Sequence, residues 1–222
     1  MNKRDKNKKI VRPIDAGSLV IYQKKGDQIQ VLMGRRGNKA KFQPGYYVFP
    51  GGVKERSDYS SRFLNKISKN SIRHMGVSNS QSKANALAMT AIREAYEEVG
   101  LVFGKRVSGN NNVLKKKWHY FEKNNIWPDL ESLEYLGRAI TPSYLPIRYH
   151  ARFFSVPYDR LLCAEKIDGE LEDIKWIDLD NLATVKMMDV QKMILDILRN
   201  KLNSGTLVPK FLFFKWGKKN IV

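Results

Sequence analysis

Glu94, Glu97 and Glu98 fall within the segment Arg93-Glu94-Ala95-Tyr96-Glu97-Glu98-Val99-Gly100-Leu101. If the segment is helical, with about 100° of rotation per residue, Glu97 lies about 60° to one side of Glu94 and Glu98 about 40° to the other. The three carboxylates then share one arc. Ala88, Ile92, Ala95 and Val99 form a neighbouring apolar stripe suited to face a core. Carboxylates at such spacing repel one another by about 0.2–0.5 kcal/mol per exposed pair. A hard divalent cation removes that repulsion, and an all-oxygen donor set suits Mg²⁺ or Mn²⁺. In isolation the same residues would also make an ordinary solvated acidic face, so the surrounding sequence has to decide.

The pattern predicts a helix from about Ser82 to Val99, ended by Gly100 as a C-cap. Upstream, the β-rich runs Ser18–Tyr22 and Ile29–Met33 flank Lys24-Lys25-Gly26-Asp27, which predicts a hairpin. A short apolar strand, Tyr46–Phe49, stops at the turn Pro50-Gly51-Gly52. Residues 53–82 are polar and Ser/Asn-rich, with no more than one short amphipathic segment, around Phe63-Leu64-Ile67. Downstream, Trp118–Asn124 reads as helix, and Leu133–Ile140, Arg148–Phe154 and Ile174–Ile177 read as strands. Helices are expected at Leu179–Ala183 and Met187–Leu202, and the apolar Lys210–Phe214 is expected to pack back on the body. Strands and helices mix without a βαβ rhythm, which predicts an α/β fold, an α/β/α sandwich with a mixed sheet.

The segment Arg93–Leu101 resembles the second half of the Nudix box, R-E-U-x-E-E-x-G-U with U aliphatic, and Phe49-Pro50-Gly51-Gly52 is similar to the family's strand-to-loop entry. The family box begins G-x5-E-x7 before that arginine. Six residues after Gly52 stands Asp58, but 34 residues, 93 − 58 − 1, then separate it from Arg93. Counting back from Arg93, the glutamate position holds Asn85. An insertion of about 27 residues, 34 − 7, therefore splits the box, and neither residue is assigned to its first acidic position. Such an insertion resembles the branch of coenzyme A diphosphatase-like Nudix proteins, peroxisomal or mitochondrial, and their bacterial relatives. Leu32-Met33-Gly34-Arg35-Arg36 before Gly45–Gly52 is similar to that branch's coenzyme A signature, with Met33, Arg36 and Ala40 departing from it.

The resemblance implies a Nudix hydrolase, which cleaves a phosphoanhydride in a nucleoside diphosphate linked to another group. Glu94, Glu97, Glu98 and the Gly52 carbonyl would hold Mg²⁺ or Mn²⁺, with Arg93 orienting one of the carboxylates. A further carboxylate is expected in Asp168-Gly169-Glu170-Leu171-Glu172-Asp173, Glu170 first and Glu172 next, as metal ligand or general base. An acidic turn balancing a basic surface is the competing reading. Arg35, Arg36 and Lys41, with Lys39 nearby, are placed to hold substrate phosphates. The loop Thr141–Tyr149 is stiff and aromatic, suited to a base, to a pantetheine chain or to a purely structural role. His74, His119 and His150 have no ligand spacing, and Cys163 reads as a core thiol.

Of 222 residues, 40 are Lys or Arg and 22 Asp or Glu, a formal net charge of +18. That field favours anionic ligands, nucleotides and phosphorylated cofactors above all; it keeps RNA open as a partner, although no basic-aromatic RNA motif accompanies it. At 42% hydrophobic the chain can build a core. The single cysteine excludes an internal disulfide framework. No run approaches the roughly 20 apolar residues of a membrane span, and the expected setting is cytoplasmic, or an organellar matrix in a eukaryote. The expected organisation is a basic arm over 1–12, a Nudix domain over 13–205 with the insertion at 53–82, and a tail over 206–222. The coenzyme A reading stands first among substrates, before NADH, ADP-ribose, dinucleoside polyphosphates and RNA caps. A non-catalytic nucleotide- or RNA-binding module is the rival of another class. The state of assembly, monomer or homodimer, is left open.

Overall fold

The computed structural model describes residues 11–40, 42–108, 116–215 and 218–222. In chain order its elements are strands β1 (Ile14–Lys25), β2 (Gln28–Arg36), β3 (Tyr47–Val48) and β4 (Gly51–Val53), then helices α1 (Arg56–Ser60), α2 (Lys69–His74) and α3 (Gln81–Val99). There follow β5 (Leu101–Phe103), β6 (Lys105–Arg106), α4 (His119–Lys123), β7 (Ile126–Trp127), β8 (Glu134–Ile140), β9 (Tyr149–Pro157), β10 (Leu161–Ala164) and β11 (Leu171–Asp178). The chain closes with α5 (Asp189–Ser204), β12 (Lys210–Lys215) and β13 (Lys218–Ile221).

The main sheet runs β11-β2-β1-β9-β8-β12-β13, with β3 paired to β2 and β4 to β1. β1 with β9 and β8 with β12 are parallel and the other pairs antiparallel, so the sheet is mixed as expected. Side chains alternate across it. Leu19 and Ile21 enter the core under α3, whereas Val20 and Tyr22 enter a second core with Ile194, Leu195 and Leu198 of α5. The result is an α/β/α sandwich.

α3 starts on the Ser80 hydroxyl, which accepts from the Lys83 amide, and stops at Gly100, whose φ of 70° is left-handed. It lies close on β1. A Cβ on Gly17 would stand 2.4 Å from the Leu87 carbonyl oxygen of the helix.

The insertion departs from expectation. Where no more than one short amphipathic segment is expected, two short helices, α1 and α2, lie on either side of Phe63-Leu64-Ile67, and Leu64 makes an isolated bridge to Asp129. Ile67, Ile72, Met75 and Val77 enter the α3 core, which is why a polar segment still docks. The expected helix at 179–183 is a 3₁₀ segment over 179–184. The C-terminal residues join the sheet beside β8 as a parallel strand. The basic arm lies almost wholly in residues 1–10, outside the described residues. No helix among the described residues is long and apolar enough to cross a membrane.

Candidate active site

Arg93 organises the acidic face of α3. It is 0% exposed, and all five of its N–H donors have acceptors. Nε and Nη2 grip Asp58 at 2.8 and 3.0 Å, and Nη2 also reaches the Val53 carbonyl at 3.0 Å. Nη1 donates to Glu94 at 2.7 Å and to Glu97 at 2.9 Å. Burial works to lower its pKa, but the hydrogen bonds and charge of Asp58, with Glu94 and Glu97, override this and raise it. A guanidinium so held cannot swing, so it fixes two carboxylates at once.

Asp58 is the residue that sequence reasoning left unassigned. It is 1% exposed and also accepts from Thr90 Oγ1 at 2.9 Å, Trp118 Nε1 at 3.1 Å and the Glu55 amide at 2.8 Å. The count of six from Gly52 was the signal that could have found it. Asn85, the other candidate, instead accepts from the Ile67 amide and from Gln81 inside the insertion's contact with α3.

β4 pairs with β1 and packs on α3, which brings the Gly51-Gly52 turn against the carboxylates. The Glu94 carboxylate lies so close to Gly52 that a Cβ there would sit 2.4 Å from its carbon. Glu98 accepts from the Gly51 amide at 2.8 Å. Burial pushes the Glu98 carboxyl up to about 8, aided by the Glu94 charge and opposed by the Gly51 amide and Arg36. Burial likewise raises Glu94, against the pull of Arg93.

These groups form one wall of a cavity of about 860 Å³, within the range of small-molecule sites. Gly51, Gly52, Glu94, Glu97 and Glu98 line it together with Asp168 and Glu170, so the turn before β11 does meet the helix. Glu172 does not; it pairs with Arg35 at 2.6 Å. Arg35 and Arg36 project to opposite sides of β2. Arg36 lines the cavity, and its Nε is buried with no partner among the described residues, whereas Arg35 stands outside, tied to Glu172 and Asn38. Lys41 lies outside the described residues. His74, His119 and His150 do not line the cavity, nor does half-buried Cys163.

Much of the remaining lining is apolar. Val53, Ala16, Ala151, Ala139 and Leu212 are register partners across β4, β1, β9, β8 and β12, and all five line it. Phe49 and Phe153 flank this row, as do Phe42, Tyr149 and the exposed Tyr144 of the aromatic loop.

Among the described residues, no three His, Cys, Asp or Glu side chains converge into a ready metal cage. The donors nevertheless fit a hard cation. All are oxygens, Glu98 is a buried carboxyl short of positive partners, and Gly52 offers a carbonyl on a segment that admits no side chain.

No protein-family model matches the chain. A Caenorhabditis elegans protein named "Putative nudix hydrolase 7" is 25% identical over 164 residues, 67% of this chain. The chain spans only 46% of that relative's length. Among solved structures, a NUDIX hydrolase from Alicyclobacillus acidocaldarius superposes with a TM-score of 0.66 at 22% identity, over 88% of this chain and 97% of that one. The NUDIX domain of Shewanella oneidensis NrtR, complexed with ADP ribose, gives a TM-score of 0.50 at 14% identity, over 90% and 94%. These likenesses establish the fold, a Nudix α/β/α sandwich.

Proposed function

We propose that this protein is a metal-dependent Nudix hydrolase that cleaves the phosphoanhydride of a nucleoside diphosphate-linked substrate. The observation that carries the reading is the convergence on one cavity of Glu94, Glu97 and Glu98, the Gly51-Gly52 turn, Glu170 and Arg36. Glu94, Glu97, Glu98 and the Gly52 carbonyl would hold Mg²⁺ or Mn²⁺. Such an ion supplies neutralisation of the diphosphate oxygens and acidification of a water. Arg93 keeps Glu94 and Glu97 in place, so little reorganisation is left for the reaction itself. Arg36 presents a cation on the cavity wall for the diphosphate. Glu170 is the carboxylate we assign to take the proton from water, because it shares the cavity and Glu172 does not.

Coenzyme A or an acyl-coenzyme A is the substrate we place first. The segment 32–52 supports it through its likeness to the coenzyme A signature, and an apolar half of the cavity suits a group other than phosphate. The test is product analysis by chromatography. Purified protein with Mg²⁺ or Mn²⁺ is given coenzyme A, acetyl-coenzyme A, NADH, ADP-ribose, diadenosine tetraphosphate and capped RNA. The expected outcome is 3′,5′-ADP and 4′-phosphopantetheine from wild type, with Glu97→Gln slower by at least about 100-fold. Cleavage of another member keeps the hydrolase and discards coenzyme A. Binding without cleavage under either metal overturns the enzyme reading in favour of a binding module.

A further inference from the structure

Lys117 is a cation at the site to which the sequence assigned no role. It belongs to the 3₁₀ turn Lys116–Trp118, which Trp118 anchors: the indole is 1% exposed and donates to Asp58. The carboxylate that clamps Arg93 thus also fixes the turn carrying Lys117. Its Nζ stands 3.3 Å from Glu97 and 3.7 Å from Glu55. Lys117 and Glu97 line the main cavity and also a smaller neighbouring cleft with Tyr96, His119 and Tyr120.

Glu97 therefore has two cationic partners of different character. Arg93 is locked by five hydrogen bonds and cannot leave. Lys117 is 43% exposed on a flexible four-carbon stem and can. A divalent ion on Glu97 would meet the Lys117 ammonium as a like charge within a few ångströms, and repulsion at that range outweighs a half-exposed ion pair.

We propose that Lys117 is a placeholder cation. It neutralises Glu97 until the divalent ion binds, then yields that carboxylate and turns its charge to the anionic substrate in the same cavity. The inference rests on the metal-dependent reading above and assigns Lys117 a substrate-binding role.

The two halves of the proposal move two observables in opposite directions. Mn²⁺ binding without substrate is measured by calorimetry for wild type, Lys117→Ala, Lys117→Arg and Glu97→Gln, and KM is measured for whichever substrate the product analysis identifies. Lys117→Ala is expected to bind Mn²⁺ about 3- to 10-fold more tightly while KM rises by a similar factor. Lys117→Arg should stay near wild type in both. A merely structural lysine would weaken both when removed, and an idle one would change neither; either result overturns the proposal. If Glu97→Gln loses Mn²⁺ binding and Lys117→Ala matches wild type, the placeholder alone falls. If Mn²⁺ binding is absent, or survives Glu97→Gln, the metal site at Glu97 falls and the placeholder with it.

Discussion

Glu98 carries a charge that the metal-free protein holds at a disadvantage. Its folded pKa, pushed up to about 8, exceeds the ordinary 4.5 of the unfolded chain. The folded state therefore binds the extra proton between those values, and the stability that proton confers is lost as pH rises through about 8. With a chelator present, the thermal midpoint is expected to fall from pH 5 to pH 8.5, and Glu98→Gln should flatten that slope. Melting curves of both proteins across the range check this; equal slopes would mean that Glu98 does not control the pH dependence. That the three glutamates share a face was legible in the sequence, because helical rotation fixes it locally. The spacing from Gly52 pointed to Asp58, but its pairing with Arg93 was not legible, because Arg93 lies 35 positions away and only tertiary structure joins them. Arg36 rather than Arg35 facing the cavity depends on the phase of β2, which a pair of adjacent arginines does not reveal.

The contact between α3 and β1 sets where the carboxylates stand. Gly17 allows it, since any Cβ there meets helix backbone and not a yielding side chain. Gly17→Ala is expected to cost about 1–3 kcal/mol through overpacking, and to lower activity by shifting α3 against the Gly51-Gly52 turn. Thermal melts with the hydrolysis assay test it; unchanged values in both would show that the layers adjust freely. α3 was legible to within a residue, since its apolar stripe and terminal glycine agree. The conformation of 63–67 was not legible, because apolar residues in a short window do not reveal a period. Ile67 is buried in the α3 core, Phe63 packs half-buried against it, and the bridge to Asp129 holds Leu64, all without a helix.

Across the whole molecule, the insertion is tied to the sheet by Arg152, which is fully buried. Its guanidinium donates to the carbonyls of Met75, Gly76 and His150 and pairs with Asp15. Arg152→Met keeps the bulk and removes these bonds, leaving Asp15 without that partner. A loss of about 3–5 kcal/mol is expected, with amide exchange rising first over residues 61–80. Uniform acceleration across the chain would instead place Arg152 in the global core. The parallel pairing of β12 with β8, which brings Leu212 to the cavity, joins residues more than 70 apart, so no local pattern announces it.

The split between Asp58 and Arg93 is a matter of polymer statistics. Closing a loop of 34 residues in place of about seven costs, by the logarithmic law, only about 1.4 kcal/mol. Burial of Ile67, Ile72, Met75 and Val77 offsets a sum of that size. No such latitude exists within α3, where one added residue would rotate Glu97 and Glu98 by about 100° away from Glu94. The chain can therefore be lengthened at the one joint of its acidic motif where length enters as a logarithm, and not where it enters as an angle.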